Sequence, residues 1–184
     1  MNRTLLCLVA SLLALRPGSA HAQDDDANGR FGVALNASLN SELQPIRLVP
    51  TVTYLTGKSQ FEAGFGFHPF VRANQRTLSA ELSHKVFPNG IDKTLNLYLI
   101  SRLTYGNQRR NAFFRTTLHY VFLNAGYGLE LNGRGGSYIG TNVTFGVFGL
   151  GRRSDNPSAG YASSGLFDQG GFNVAFQLQA GYRF

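Results

Sequence analysis

Cysteine is almost missing from this chain. The one thiol, Cys7, lies within the first few residues, in a segment expected to be removed. The remainder can form no disulfide and offers no thiolate nucleophile or Cys-based metal site. Such a chain suits an oxidising compartment. Charge is scarce as well: Asp, Glu, Lys and Arg make up 15% of the residues, against about 25% in an ordinary soluble domain. Tryptophan is absent. Beyond the first residues there is no sustained apolar stripe at helical spacing, and no apolar run long enough for a membrane-spanning helix.

The start of the chain has the pattern of an export signal. Arg3 supplies a positive charge, residues 5–15 are apolar, and Ala20-His21-Ala22 places small residues at a cleavage site. The run is too short to span a bilayer and is broken by Arg16-Pro17-Gly18. Residues 1–22 are therefore expected to be a signal peptide. Cys7 lies too early to be a lipidated residue following that signal. Residues 23–29, with Asp24-Asp25-Asp26, read as a short periplasmic linker, and 30–184 as one domain. Of the 17 basic residues, Arg3 and Arg16 leave with the leader; the remaining 15 face 10 acidic ones, a net +5. A basic balance is one mark of nucleic-acid binding, but export excludes that partner. Anionic lipid and lipopolysaccharide phosphate fit better.

What is abundant is glycine (22), phenylalanine (15) and tyrosine (8), on a background of period-2 alternation. Apolar and small or polar residues alternate over 31–39, 46–54, 60–68, 77–86, 95–105, 121–131, 138–147 and 172–184. Those eight stretches are mostly near the 9–11 or so residues that a tilted strand needs to cross a bilayer. The sixth is apolar on both faces over 118–123, which points to a bulge or a packed lumen. Short Gly-, Pro- and Asn-rich connections at 56–59, 88–92 and 132–136 alternate with longer ones at 40–45, 70–76, 106–115 and 151–170. Short turns at one end and long loops at the other is the transmembrane β-barrel pattern, and an even strand count puts both termini at the short-turn end.

A soluble sandwich would also alternate, but its second face would carry charges to water. Here that face is Gly, Asn, Ser, Thr and Gln, a composition of confinement. A sheet in lipid must close, because lipid cannot satisfy edge hydrogen bonds. The expected fold is all-β: a closed up-and-down antiparallel transmembrane barrel of about eight strands. Phe31, Tyr54, Phe61, Phe87, Tyr182 and Phe184 would mark its periplasmic rim, and Phe67, Tyr105, Phe113 and Phe172 its outer one.

The final stretch, Gly170-Gly171-Phe172-Asn173-Val174-Ala175-Phe176-Gln177-Leu178-Gln179-Ala180-Gly181-Tyr182-Arg183-Phe184, resembles the C-terminal strand of bacterial outer-membrane β-barrel proteins. The ending Gly-Tyr-Arg-Phe is similar to that of small porin-family barrels. The resemblance is specific for about 15 residues and architectural over the rest. It implies an outer-membrane location and insertion by the barrel assembly machinery, with Tyr182 and Phe184 in the assembly signal. The competing reading is the edge strand of a soluble domain.

Alternation sends Glu62, Glu81, Lys85, Arg102, Glu130 and Arg183 inward. Opposite charges in a narrow lumen must pair, because an isolated buried charge is very costly. A structural ion-pair plug is the simpler reading, and a gated ion path the sharper one. Glycine at 64, 66, 126, 128, 140, 146 and 181 is expected to leave some lumen volume. Arg72, Arg76, Arg109, Arg110, Arg115, Arg152 and Arg153 fall in outer loops, where guanidinium forks suit phosphate oxygens. They read equally as a lipopolysaccharide-phosphate contact or as a solvated basic rim. The 154–170 loop, with Tyr161, Leu166 and Phe167, is long enough to cover the mouth or meet another surface.

His68, His84 and His119 form no triad. Ser83 and His84 are adjacent and so point to opposite faces, and His119 has Val121 at i+2. No His/Asp/Glu cluster has metal-ligand spacing, and no cofactor is implied. The expected function is a non-enzymatic outer-membrane protein with a structural or surface-interaction role. A small porin-like channel is the alternative, with a lipid-modifying enzyme or a component of an envelope-spanning apparatus behind it.

Overall fold

The computed structural model describes residues 29–43, 46–69, 75–111, 114–155, 165, 167 and 169–184. The expected signal peptide at 1–22 and all of the linker except Gly29 lie outside them, as do Arg72, Phe113, Tyr161 and Leu166. The chain forms eight strands: β1 (Arg30–Asn40), β2 (Arg47–Thr56), β3 (Ser59–Phe67), β4 (Gln75–Val86), β5 (Leu95–Asn111), β6 (Arg115–Asn132), β7 (Ser137–Ser154) and β8 (Gln169–Arg183). Each pairs antiparallel with its neighbour, and β1 pairs with β8 from Gly32↔Arg183 to Asn40↔Ala175, so the sheet closes into a barrel with no free edge. Closure pairs the strands of the wall from within, which a lipid environment demands.

The barrel is inside out relative to a soluble domain. Along β3 exposure alternates residue by residue, with Phe61, Ala63 and Phe65 out and Gln60, Glu62 and Gly64 in. Phe65, Leu78, Leu82, Leu97, Leu123, Ile139, Phe145 and Leu178 all lie exposed on the outer wall, whereas the buried set is dominated by Asn, Gln, Ser, Thr, Glu, Lys and Arg. Water would not tolerate that outer surface; lipid does. Pro50 stands outward in β2, opposite Leu35 on β1. The β2–β3 ladder skips from Leu48↔Phe67 to Thr51↔Gly64, so proline's missing N–H leaves a gap on that side only.

The turns at one end are tight. Gly57-Lys58 joins β2 to β3, with Gly57 at φ +54°, where a side chain would be strained. The other end differs from expectation. Residues 106–111 and 151–154 are not loop but strand, because β5, β6 and β7 run on for 17, 18 and 18 residues. Pairs continue up to Asn111↔Arg115 and Thr116↔Ser154. Alternation faded from the sequence there because a wall above the lipid no longer needs an apolar outer face. An 18-residue strand tilted as in such barrels rises about 45 Å, against an apolar band of about 25 Å.

Candidate functional site: a lumen filled in two tiers and a raised outer wall

The lower tier, nearest the tight turns, is built on two ion pairs. Lys85 Nζ lies 2.6 Å from Glu62 Oε1, and Arg183 Nη2 lies 2.8 Å from Glu130 Oε2. Neutral amides complete the shells. Gln60 donates to Glu62 Oε1 at 2.6 Å and Gln179 at 3.0 Å, while Gln60 Oε1 accepts from Arg183 Nη2 at 2.7 Å. Aromatic faces cover the cations. Arg183 sits 3.9 Å over the Tyr138 ring and 6.0 Å over Phe87, and Lys85 sits 4.9 Å over Tyr98.

Phe87 therefore corrects the expected rim. It is fully buried rather than lipid-facing, and packs with Tyr98, Ile100 and Ile91 at the short-turn end of the lumen. Its amide donates to Lys58 O at 2.8 Å, one step beyond the Ser59↔Val86 pair, so the β3–β4 pairing continues and Phe87 keeps the inward parity of Lys85. The other five residues of that rim, Phe31, Tyr54, Phe61, Tyr182 and Phe184, are exposed on the outer wall. There Phe31 packs on Tyr54, and Tyr182 on Phe184.

The next tier centres on Glu81, which holds Arg47 at 3.0 Å and Arg102 at 3.9 Å. Arg47 also donates to Ser79 Oγ at 2.6 Å and Ser38 Oγ at 3.1 Å. Arg102 donates to Asn142 Oδ1 at 2.9 Å and to Gln177. Asn142 donates on to the Tyr98 hydroxyl at 3.3 Å, joining the two tiers. All six sequence-derived lumen charges thus lie inside. Arg47 was missed among them, although it shares the inward parity of Thr51 and Thr53. With it the lumen carries, among the described residues, four cations against three carboxylates.

Four of the lumen glycines do not leave free volume. A Cβ on Gly128 or Gly181 would strike the Tyr98 or Tyr138 ring, and Val49 occupies the space beside Gly64 and Gly66. The rings and Val49 fill what the glycines vacate, as expected of an eight-stranded interior.

Above the charges the lumen becomes apolar. Leu43, Leu118, Tyr120 and Phe122 form a buried cluster with Phe148 and Leu150 against it. Leu43 belongs to the connection read as a plain loop at 40–45. Asn40 Oδ1 accepts from the Glu42 and Leu43 amides at 2.9 and 3.3 Å, and this turn drives Leu43 into the mouth over Gly106.

Among the described residues, the outer arginines lie on strands rather than in loops. Arg76, Arg109 and Arg153 are exposed on the outward face; Arg110 and Arg152 have the opposite parity, and Arg115 opens β6. On the outer wall, Nδ1 of His119 meets the Tyr105 hydroxyl at 2.7 Å and Asn107 Nδ2 at 3.3 Å. His84 stacks on Phe61, and its Nε2 meets Ser59 Oγ at 3.2 Å. Among the described residues no carboxylate forms an ion pair with His84. Among the described residues no three His, Cys, Asp or Glu side chains gather in a metal-binding group.

Two solved structures share this architecture. The N-terminal β-barrel domain of Pseudomonas aeruginosa OprF matches with a TM-score of 0.60 at 14% identity, over 86% of this chain and 98% of that one. A major outer membrane protein from Thermus thermophilus matches with a TM-score of 0.54 at 13% identity, over 85% of this chain and 100% of that one. This is the fold of the small outer-membrane β-barrels. No protein-family model matches the chain, and no curated protein does.

Proposed function

We propose that the chain is an integral protein of a bacterial outer membrane that acts without catalysis. The barrel is an anchor, and the raised β5–β7 wall with its outer connections is the surface that meets partners. The observation carrying this reading is the filled lumen: two tiers of paired charges, Phe87 across one end and the Leu43 cluster across the other. In planar bilayers the purified protein is expected to give no conductance steps. Cysteine placed at Asn111 should label with an impermeant maleimide on intact cells, and cysteine at Lys58 only after permeabilisation. Steady conductance, or an unlabelled Asn111 position, overturns the reading. In the same proposal Tyr182 and Phe184 serve recognition by the barrel assembly machinery; deleting Phe184 should lower the outer-membrane level of the protein.

A second reading, a small channel, has one observation in its favour. Asn124 Oδ1, Thr144 Oγ1 and both amide atoms of Asn173 are buried in the wall of the lumen without a protein hydrogen bond, and buried polar groups of that kind hold water. The channel reading expects conductance that changes with Glu81→Gln or Arg102→Gln.

A further inference from the structure

The strand register splits the outer arginines into two sets. Arg76 stands directly opposite Arg109, Arg109 opposite Thr117, and Thr117 opposite Arg153. The four residues form one row across β4–β7, all on the outward face, with the three arginines exposed. No acidic residue stands in the row, and among the described residues none of its arginines makes an ion pair. Like charges directly opposite one another across a ladder are destabilising unless an anion lies between them.

The row's height names the anion. Arg76 is two residues above the lipid-facing Leu78, Arg109 four above Tyr105 and Arg153 six above Val147, so the guanidinium groups all stand above the apolar side chains of the outer wall, at the height of the headgroups. Below the row, His119 Nδ1 lies 2.7 Å from the Tyr105 hydroxyl and 3.3 Å from Asn107 Nδ2, so three polar side chains gather on the outer wall. Beside them the Phe167 ring covers Gly149 on the outer wall while remaining 68% exposed, held at φ +79°. An aromatic at the lipid boundary, a group of polar side chains and a fork of arginines above them match a phosphorylated sugar headgroup seated on acyl chains.

We propose that Arg76, Arg109 and Arg153 bind the phosphate of an outer-leaflet glycolipid, lipopolysaccharide, on the outside of the barrel, and that Arg110 and Arg152 do not. The inference rests on the outer-membrane location proposed above. Arginine forks suit phosphate because two N–H groups meet two oxygens at once.

Sequence supplies a matched test, because Arg109-Arg110 and Arg152-Arg153 are adjacent pairs whose members point to opposite faces. Arg109→Gln/Arg153→Gln and Arg110→Gln/Arg152→Gln remove the same charge from the same two places. Binding of purified lipopolysaccharide to detergent-refolded protein is measured by calorimetry, with heat-modifiability on gels confirming that each variant is folded. The outward pair is expected to weaken binding by about tenfold or more, and the inward pair by less than about twofold. Dephosphorylated lipopolysaccharide and phosphatidylglycerol vesicles should bind the unaltered protein at least about tenfold more weakly. Equal losses from both pairs, no loss from either, or equal binding of either control lipid overturns the site. Cell fractionation is read separately. Absence from the outer membrane, with the difference between pairs intact, sinks the location while leaving the phosphate site standing.

Discussion

The lower and upper halves of the lumen face the same demand, that a narrow barrel be filled, and meet it with opposite chemistry. Around Lys85, Glu62, Arg183 and Glu130 every charge has a partner and a shell of amides or rings. Around Leu43, Tyr120 and Phe122 there is an apolar cluster of the kind found in any soluble domain. The lower half is ringed by lipid-facing side chains, whereas the strands around the upper half run on past the apolar band. A polar core specifies itself through hydrogen bonds with definite geometry, and an apolar one through shape. The two halves should therefore respond differently to damage.

The largest expected effect is in the lower half. Lys85→Met leaves Glu62 buried without its cation and should cost about 3–5 kcal/mol, read as a lowered midpoint in urea unfolding in lipid vesicles. Adding Glu62→Gln to it should recover much of that loss. If the double variant is no better than the single one, the pair is not the unit of stability in this tier. In the upper half, Leu43→Ala should cost about 2 kcal/mol, as a truncated core side chain does, with no rescue by any charge change. Protease sensitivity of the 40–46 segment would rise with it.

Two smaller changes sharpen the boundary between the halves. Tyr98→Phe removes the hydroxyl that donates to Thr141 O at 3.2 Å and accepts from Asn142, and should cost about 1 kcal/mol. Asn40→Ala removes the acceptor that turns the chain toward Leu43 and should cost about 1 kcal/mol. Combined with Leu43→Ala, its effect should largely vanish, since the turn serves to place that side chain. Full additivity in this last pair would separate the turn from the packing.

The eight strands, the short-turn end and the inward parity of Glu62, Glu81, Lys85, Arg102, Glu130 and Arg183 were legible because lipid enforces strict alternation. Wherever lipid stops, so did legibility. The upper ends of β5 and β7, 106–111 and 151–154, carry polar residues or glycine on both faces and read as loops. Phe87 read as a rim aromatic from its place at a strand end, although it shares the inward parity of Ser83 and Lys85. Leu43 was invisible for a different reason: its place depends on a turn made by Asn40, not on a period. Arg47 was within reach, since it shares the face of Thr51 and Thr53. The pairing of Arg76 with Arg109 depends on register, which alternation within one strand does not fix.

The strands that make the wall differ in length, from 9–12 residues in β1–β4 to 15–18 in β5–β8. The molecule consequently has a front and a back in the plane of the membrane. A visitor from outside meets a parapet on one flank and a low sill on the other. Among the described residues, the row of outward arginines that neighbours in the bilayer would meet lies along one arc, β4–β7. A barrel of even height would present itself alike to every direction; this one carries a compass bearing, and whatever assembles around it will be arranged by azimuth as well as by depth.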